Sequence, residues 1–516
     1  MFRGSVYNQP LNNWDVSNVT NMGNMFRSSD FNQPLDNWDV TSVTTMNSMF
    51  NASNFNQPID SWDVSNVETM SFMFADNDTF SQSLDNWDVS NVTDMFRMFE
   101  ESTYNQPLNN WDTGNVTNMR EMFRFSNYNQ SIGNWDTSSV TTMEAMFKWS
   151  DFNQPIGNWD TSNVTNMEDM FDDCPYNHPL NNWDTGNVTN MKNMFRSSNF
   201  NQSINAWDIS NITDLTGIFA NSNFNQPLDN WDVSNITNMS SLFRDSNFNQ
   251  PINNWDVSNV QFMGSMFNNS DFNQDISSWD ISNVTSFNRM FKDSNFNQDI
   301  SSWTFNDSDL DEFIKNSAID SQNYDLLLDR FVQLDLEDGN LDADGLVYCD
   351  VFTRQVLIND LDWDIDNDQL ANDCSINYIS GNIRFDEDNN GCDSNDEALA
   401  QLAVNTNDSQ NDLSVITNEQ GNYLVTVNQG NFSVEMLNLP AFLDASPSAH
   451  AVTFTNTDEL EDQKDFCITA NQTVEDLSVD LFPLNDAIPG FESDYELIIE
   501  NNGTQPVQNA QVTVNF

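Results

Sequence analysis

Counted from Trp14, apolar residues return at Val19, Met22, Met25 and Phe26. Steps of three, three and one fit one face of a short helix. Ser17 and Asn18 precede it, residue types that satisfy the free N–H groups of a first turn. After a polar link come Phe31, Leu35 and Trp38, spaced as in a short extended segment, with Pro34 arguing against a long regular strand. Then the pattern begins again. Trp stands at 14, 38, 62, 87, 111, 135, 159, 183, 207, 231, 255, 279 and 303. Of the twelve intervals, eleven are equal, and the one from Trp62 to Trp87 is longer by one, the extra residue falling near Asp76–Phe80. Such a period belongs to stacked repeat architectures. Each unit predicts one short strand or extended arc and one short helix. A single unit cannot bury its apolar side, whereas stacked neighbours can. At strand spacing the thirteen units would form a curved rod roughly 60 Å long.

Fixed helical or strand offsets make the Trp, Met and Phe columns core, with a sugar-stacking surface as the alternative. Methionine suits such a core because it fills irregular gaps. The Asn of each Phe-Asn-Gln segment (Asn32, Asn56, Asn105, Asn129 and onward) is expected to form a ladder satisfying loop backbone groups. Asp follows Trp in twelve of thirteen units. Bonding of each carboxylate to its own turn is the plain explanation; a stripe binding cations is the sharper one. The variable stretches 27–30, 100–103 and 148–151 are candidate contact positions. Trp149, out of register with the other indoles, is a contact candidate there, with burial as its alternative.

After Trp303 the pattern changes. Asp309–Lys315 and Ser321–Leu334 read as helices, the second with Tyr324, Leu327, Leu328, Phe331 and Leu334 on one face. Asp342–Cys349 reads as a last strand and Phe352–Ile358 as a last helix, together capping the array. From about Ser375 short β-rich runs alternate with Gly and Asn turns: Tyr378–Phe385, Leu413–Ile416, Asn422–Val427 and Phe432–Leu437. Within them, residues 386–397 follow the spacing D-x-D-x-N-G-x5-E of a calcium loop. Asp386, Asp388, Asn390, the carbonyl of Cys392 and Glu397 would supply oxygen ligands to a structural calcium ion, and Gly391 would permit the turn. Acidic turns are common in so acidic a chain, and the flanking helices usual for such loops are absent.

Cysteines are 174, 349, 374, 392 and 467. Cys174 stands where other units have Ser (Ser126, Ser150) and reads as a small packed residue. Of three possible connectivities for the remaining four, Cys349–Cys374 with Cys392–Cys467 keeps each bridge within one segment and fits an extracellular setting.

Charge narrows the function. The chain has 516 residues, with 16 Lys and Arg against 79 Asp and Glu, a formal charge of −63. Nothing in that balance displaces counterions from nucleic acid, and it argues against an anionic membrane surface. The two histidines, His178 and His450, are far apart in sequence, which makes a His-based zinc site or Ser-His-Asp triad improbable. No run of 18 apolar residues occurs, so no membrane insertion is expected. Met1 is followed at once by mid-repeat residues without a signal peptide, so the chain reads as a fragment.

The run Trp-Asp-Val-Ser-Asn-Val-Thr-Asn-Met-x-x-Met-Phe, followed by Phe-Asn-Gln-Pro, resembles the BspA-like leucine-rich-repeat surface proteins of Bacteroidota, mycoplasmas and some protists. The resemblance covers about residues 1–305. It implies an α/β solenoid, leucine-rich-repeat-like with units of about 24 residues, on a secreted or cell-surface protein. Some members are adhesins, and the family brings no catalytic residues. Residues 381–386 and 417–423 resemble B-type and carboxypeptidase-regulatory-like stalk domains, in which a calcium loop lies between strands; this implies all-β sandwich domains after the array. The expected organisation is an array (1–305), its cap (306–374), a B-type β-sandwich (375–440), a β-rich connector (441–485) and the start of an immunoglobulin-like stalk (486–516). The leading function is non-catalytic recognition or adhesion, with an extracellular protein or polysaccharide as ligand. The rivals are a purely structural stalk or coat and a carbohydrate-active enzyme. The enzyme is disfavoured because no cluster of unique acids breaks the periodicity within 1–305.

Overall fold

The computed structural model describes the chain except at residues 307, 351–352, 355–356, 359–360, 372–373, 375–376, 408–411, 428–429, 457–459, 462, 475–476, 484–494 and 502–516. Two compact bodies form: Met1–Tyr348 with Thr353–Leu370, and Cys349–Phe352 with Ala371–Phe516.

In the first body the repeats stack, and the segment expected to be helical is a run of turns. No helix precedes Ser321 among the described residues. The unit that begins at Trp159 shows why. Met167, Asp169, Phe171 and Asp173 send their N–H groups into the next unit, to the carbonyls of Asn190, Lys192, Met194 and Arg196, at 2.8–2.9 Å. The alternate residues Met170 and Asp172 donate back to Met167 and Asp169. This arrangement needs left-handed backbone at Asp169 (φ 56°) and Asp173 (φ 52°), and their equivalents, such as Asn24 and Ser28, share it. A left-handed residue ends any α-helix, and outside glycine it costs on the order of 1 kcal/mol. The bonds between units offset that cost. The three-three-one apolar spacing survives because these turns also carry Met167, Met170 and Phe171 to the inner side, all buried.

Inside, like side chains stack on like. Phe171 and Phe195 lie 5.6 Å apart with ring planes 3° from parallel. Trp183 and Trp207 lie 6.3 Å apart at 5°. Such pairs add about 0.5–1.5 kcal/mol beyond the area they bury. From Trp38 to Trp303 each indole N–H reaches a carbonyl in the preceding unit, as from Trp183 to Ile156 at 3.2 Å. Twelve of the thirteen in-register tryptophans are at most 4% exposed, while Trp14 is 43% exposed. Trp14 stands in the first unit, with no earlier unit of this sequence to cover it or to accept from its indole.

The polar columns close the remaining backbone groups. Asn201 Oδ1 accepts from the N–H of Asn225 (3.0 Å) and from the Gln226 amide (3.1 Å). Asn225 does the same for Asn249 and Gln250, so the expected asparagine ladder is present. After each Trp the aspartate closes its own turn: Asp160 Oδ1 accepts from the N–H and hydroxyl of Ser162 at 3.0 and 2.6 Å. The Ser162 hydroxyl and N–H hold the Asp160 carboxyl below the usual aspartate range. The one longer interval is absorbed at Asn77, which is fully buried. Its Oδ1 accepts from Thr79 and Phe80, so Phe80 still stacks on Phe55.

The array extends beyond Trp303. Asp309–Lys315, expected as helix, is mainly turn, because it continues the inter-unit bonds: Phe291 donates to Phe313 and Asp293 to Lys315. Helix α1 (Ser321–Gln333) follows, capped by Asp320 and buried through Tyr324, Leu327, Leu328 and Phe331. Strands β1 (Asn340–Asp342) and β2 (Val347–Tyr348) flank a turn where one strand was expected. They pair in parallel with β3 (Asp364–Asp366) and β4 (Gln369–Leu370). The Trp363 indole donates to the Leu336 carbonyl, at the same separation in sequence as in the array's tryptophans. Gly339 is required there, since a Cβ would sit 2.3 Å from the Trp363 ring. The helix expected over Phe352–Ile358 lies partly outside the described residues; 353–354 and 357–358 are helical.

The second body is β-rich. Its strands are β5 (Asn377–Phe385), β6 (Glu397–Ala398), β7 (Ala403–Asn407), β8 (Asp412–Ile416), β9 (Asn422–Val427), β10 (Gly430–Met436), β11 (Leu443–Ser446), β12 (Ala449–Phe454), β13 (Leu460–Glu461) and β14 (Phe466–Ala470). One sheet has the order β12-β10-β7-β8. In the other, β11-β14-β5-β13, β6 and β9 also pair with β5. Both contribute to one core that includes Ile379, Val425, Ile468, Val404, Val434 and Phe454. Strands β11–β14 complete these sheets, so the β unit runs past residue 440, where a connector was expected. Strands β15 (Leu477–Pro483) and β16 (Tyr495–Asn501) pair antiparallel. The rest of the immunoglobulin-like segment expected over 486–516 lies outside the described residues.

Replacing Asn201 by Ala strips the Asn225 N–H of its acceptor. Losing such a partner costs about 1–3 kcal/mol. Urea unfolding of the Asn201→Ala variant should show that loss, and an unchanged midpoint would mean the ladder contributes nothing.

Candidate functional site

The acidic loop is a hairpin loop. It leaves β5 at Asp386 and returns in β6, where Glu397 pairs with Phe385. Asp386, only 5% exposed, accepts from the N–H of Asn390 (3.1 Å) and Gly391 (2.9 Å). Gly391 takes φ 97°, which favours glycine. Asp388 accepts from the backbone and side-chain amides of Asn390. The carboxylate oxygens of Asp386, Asp388 and Asp396 lie within 4.8 Å of one another. Three carboxylates held so close are a group able to hold a metal ion through oxygen ligands. Of the expected ligands, Asp386 and Asp388 come together, and Asn390 bonds to both. Glu397 lies in the strand, and Asp396, not foreseen, supplies the third carboxylate. Cys392 is joined to Cys467 on β14, which pins the loop to the sheet, and Cys349 is joined to Cys374. Cys174 is a free, buried thiol, its sulfur 3.2 Å from Phe152 O; burial pushes that thiol up to about 12.

A second candidate lies on the array. The left-handed turns form one face, built from the ninth, tenth, thirteenth and fourteenth residues after each Trp. Most of the unit repeats nearly unchanged, but this face varies. Ten of the twelve Lys and Arg residues between Met1 and Lys315 fall at these offsets, and Arg3 and Lys315 stand at the equivalent places of the first and last turns. Phe72, Phe96, Phe125 and Trp149, large aromatics outside the regular columns, also fall at these offsets. Phe125 is 41% exposed and stacks on Trp149 with centroids 4.3 Å apart. The Arg124 guanidinium lies 4.9 Å from the Phe125 ring centre, and Lys148 Nζ lies 4.4 Å from that of Trp149. Arg97 lies against both Phe72 and Phe96. Buried Glu121 binds Arg97 (2.7 Å), Arg120 (3.0 Å) and Arg124 (2.5 Å). Glu100 pairs with Arg124 at 3.1 Å, Glu144 with Arg120 at 2.9 Å, and Lys148 with Asp169 at 2.7 Å. The network is therefore rigid, and its cations are neutralised within the chain. Trp149 was the one aromatic of this cluster singled out by register. Phe72, Phe96 and Phe125 carried the same signal, breaking the periodic pattern at turn positions.

Burial pushes the Glu100 carboxyl up to about 7, against the pull of Arg97 and Arg124. A folded value above the usual 4.5 makes the contribution to stability full below pH 4.5 and lost as pH rises through 7. Raising pH from 4.5 to 8 should therefore favour Glu100→Gln over the wild type in melting temperature. A constant gap between the two would contradict the assignment.

The comparisons agree with the repeats. The family described as "Mycoplasma protein of unknown function, DUF285" matches residues 1–76, 30–127, 51–148, 100–198, 124–226 and 213–325. Together these matches span residues 1–325, more than half of the chain. No curated protein matches it. No helix among the described residues is long and apolar enough to cross a membrane.

Proposed function

We propose that this chain, which belongs to the DUF285 family through its array, is a non-catalytic secreted or cell-surface protein of recognition or adhesion. Its ligand is an extracellular protein or glycan, held on the turn face. The observation that carries this reading is the concentration of basic and irregular aromatic residues on one face. A core and ladder that repeat with few exchanges leave the turn positions free to differ, and a repeat scaffold presents such positions as an extended surface. The array is read as a solenoid of the BspA-like type, in which the turn segment takes the place of the helix. The two disulfides fit an oxidising compartment. The β body then serves as spacer or anchor, stiffened by calcium at Asp386, Asp388 and Asp396.

Two measurements test this. Full-length chain applied to a glycan array and a panel of matrix proteins should bind at least one probe, and turn-face substitutions such as Arg196→Ser should weaken that binding. Loss on substituting the Asp160 row instead would move the site to another face; binding by no probe would count against recognition. Calorimetric titration of the full chain with calcium should give a binding heat that Asp386→Asn and Asp388→Asn abolish. No heat with the wild type would remove the ion.

A further inference from the structure

Within the turn face, the segments 96–101, 120–125 and 144–149 stand apart. These segments carry four basic residues, Arg97, Arg120, Arg124 and Lys148, and four acidic ones, Glu100, Glu101, Glu121 and Glu144, in a chain of formal charge −63, while Lys148 itself pairs with Asp169 and Asp172 of the adjoining turn. The stacked Phe125 and Trp149 lie at its edge. Both take left-handed backbone, with φ of 54° and 55°. The equivalent residues elsewhere are small or polar, among them Ser28, Ala52, Asp245 and Asn269. A bulky side chain in that conformation is strained. Neither ring joins the array's buried core. Strain without a gain in the core points to a use outside the fold.

We propose that this charge-balanced, aromatic stretch of the turn face is a contact surface for a second copy of this chain. Like-charged copies repel wherever their acidic skins face each other, and they can approach most closely where each carries the least net charge. The stretch's Arg and Glu side chains already pair within each copy, so little charge is left there to oppose contact with another. Exposed Phe125 and half-buried Trp149 beside Arg124 are residue types that concentrate at the cores of protein interfaces. A cationic partner would be drawn to the acidic faces rather than here. A sugar would need a free ring face, yet Phe125 and Trp149 cover one another, and Arg124 and Lys148 crowd the same rings.

The inference rests on reading the turn face as the recognition face, and the two can fail separately. Sedimentation of the full chain from micromolar to hundred-micromolar concentration should show a monomer–dimer equilibrium. Added salt should strengthen the dimer, because it screens the residual repulsion. Phe125→Ala with Trp149→Ala should weaken dimerisation at least about tenfold, as expected for interface hot spots. Melting should not suffer, since alanine occupies the equivalent position at Ala52. Phe262→Ser, at an exposed aromatic of the array outside the stretch, should leave the dimer intact. A chain that stays monomeric throughout, or a dimer indifferent to the double substitution, overturns the proposal. A monomer whose double variant loses a bound glycan-array probe also overturns it, while leaving the recognition reading in place.

Discussion

The hydrogen bonds that run from one unit to the next decide the form of the array. Each unit has too few residues to satisfy its own backbone and its own apolar surface together. Sending alternate N–H groups of the turn segment to the carbonyls of the following unit resolves both needs. It fixes the spacing between units, and that spacing stacks Phe171 on Phe195 and Trp183 on Trp207. A helix at the same place would have spent those N–H groups within the unit. Neighbouring units would then have met through side chains alone, and the indole-to-carbonyl bond from each Trp would have lost its register.

That constraint also separates the legible parts of the fold from the rest. Period, core columns, asparagine ladder and aspartate turns were all open to sequence reasoning, because each rests on one residue type recurring at one offset. The turn segment was not. Steps of three, three and one satisfy a helix and a run of overlapping turns equally well. The usual warning, glycine at left-handed positions, is nearly absent: Asp169, Asp173, Asn24 and Ser28 occupy them, and Asn and Asp tolerate that conformation through local bonding. Trp363 went unrecognised as a repeat tryptophan because α1 is inserted before it and hides the period. Its indole bond to Leu336, with the sequence separation of the array's own indole bonds, restores the relation in space.

The acidic loop was legible for a related reason. Loop geometry is local, so Asp386, Asp388 and Gly391 could be placed from spacing alone. The last carboxylate could not, because its identity depends on where the returning strand begins. Pairing of Glu397 with Phe385 commits that residue to the sheet and leaves Asp396 at the mouth of the loop. The bridge from Cys392 to Cys467 then holds the loop against β14, a long-range condition that spacing within 386–397 cannot express.

Variation in a periodic protein is informative where it is expensive. On the aspartate row a substitution breaks the bond that closes the turn of its own unit, so uniformity there follows from folding alone. The turn face bears fewer such obligations, since its bonds to neighbours are made by backbone. Folding still constrains positions 97 and 124 through their ion pairs with buried Glu121, and at position 149 it disfavours bulk on left-handed backbone. Where Phe72, Phe125 and Trp149 occupy such positions, the preference of the fold has been overridden rather than merely left unused. An ion-pair network centred on buried Glu121 then immobilises the arginines around these rings. Side chains held rigid before contact lose little entropy on binding, which is why this stretch, more than the single exposed ring of Phe262, has the build of an interface.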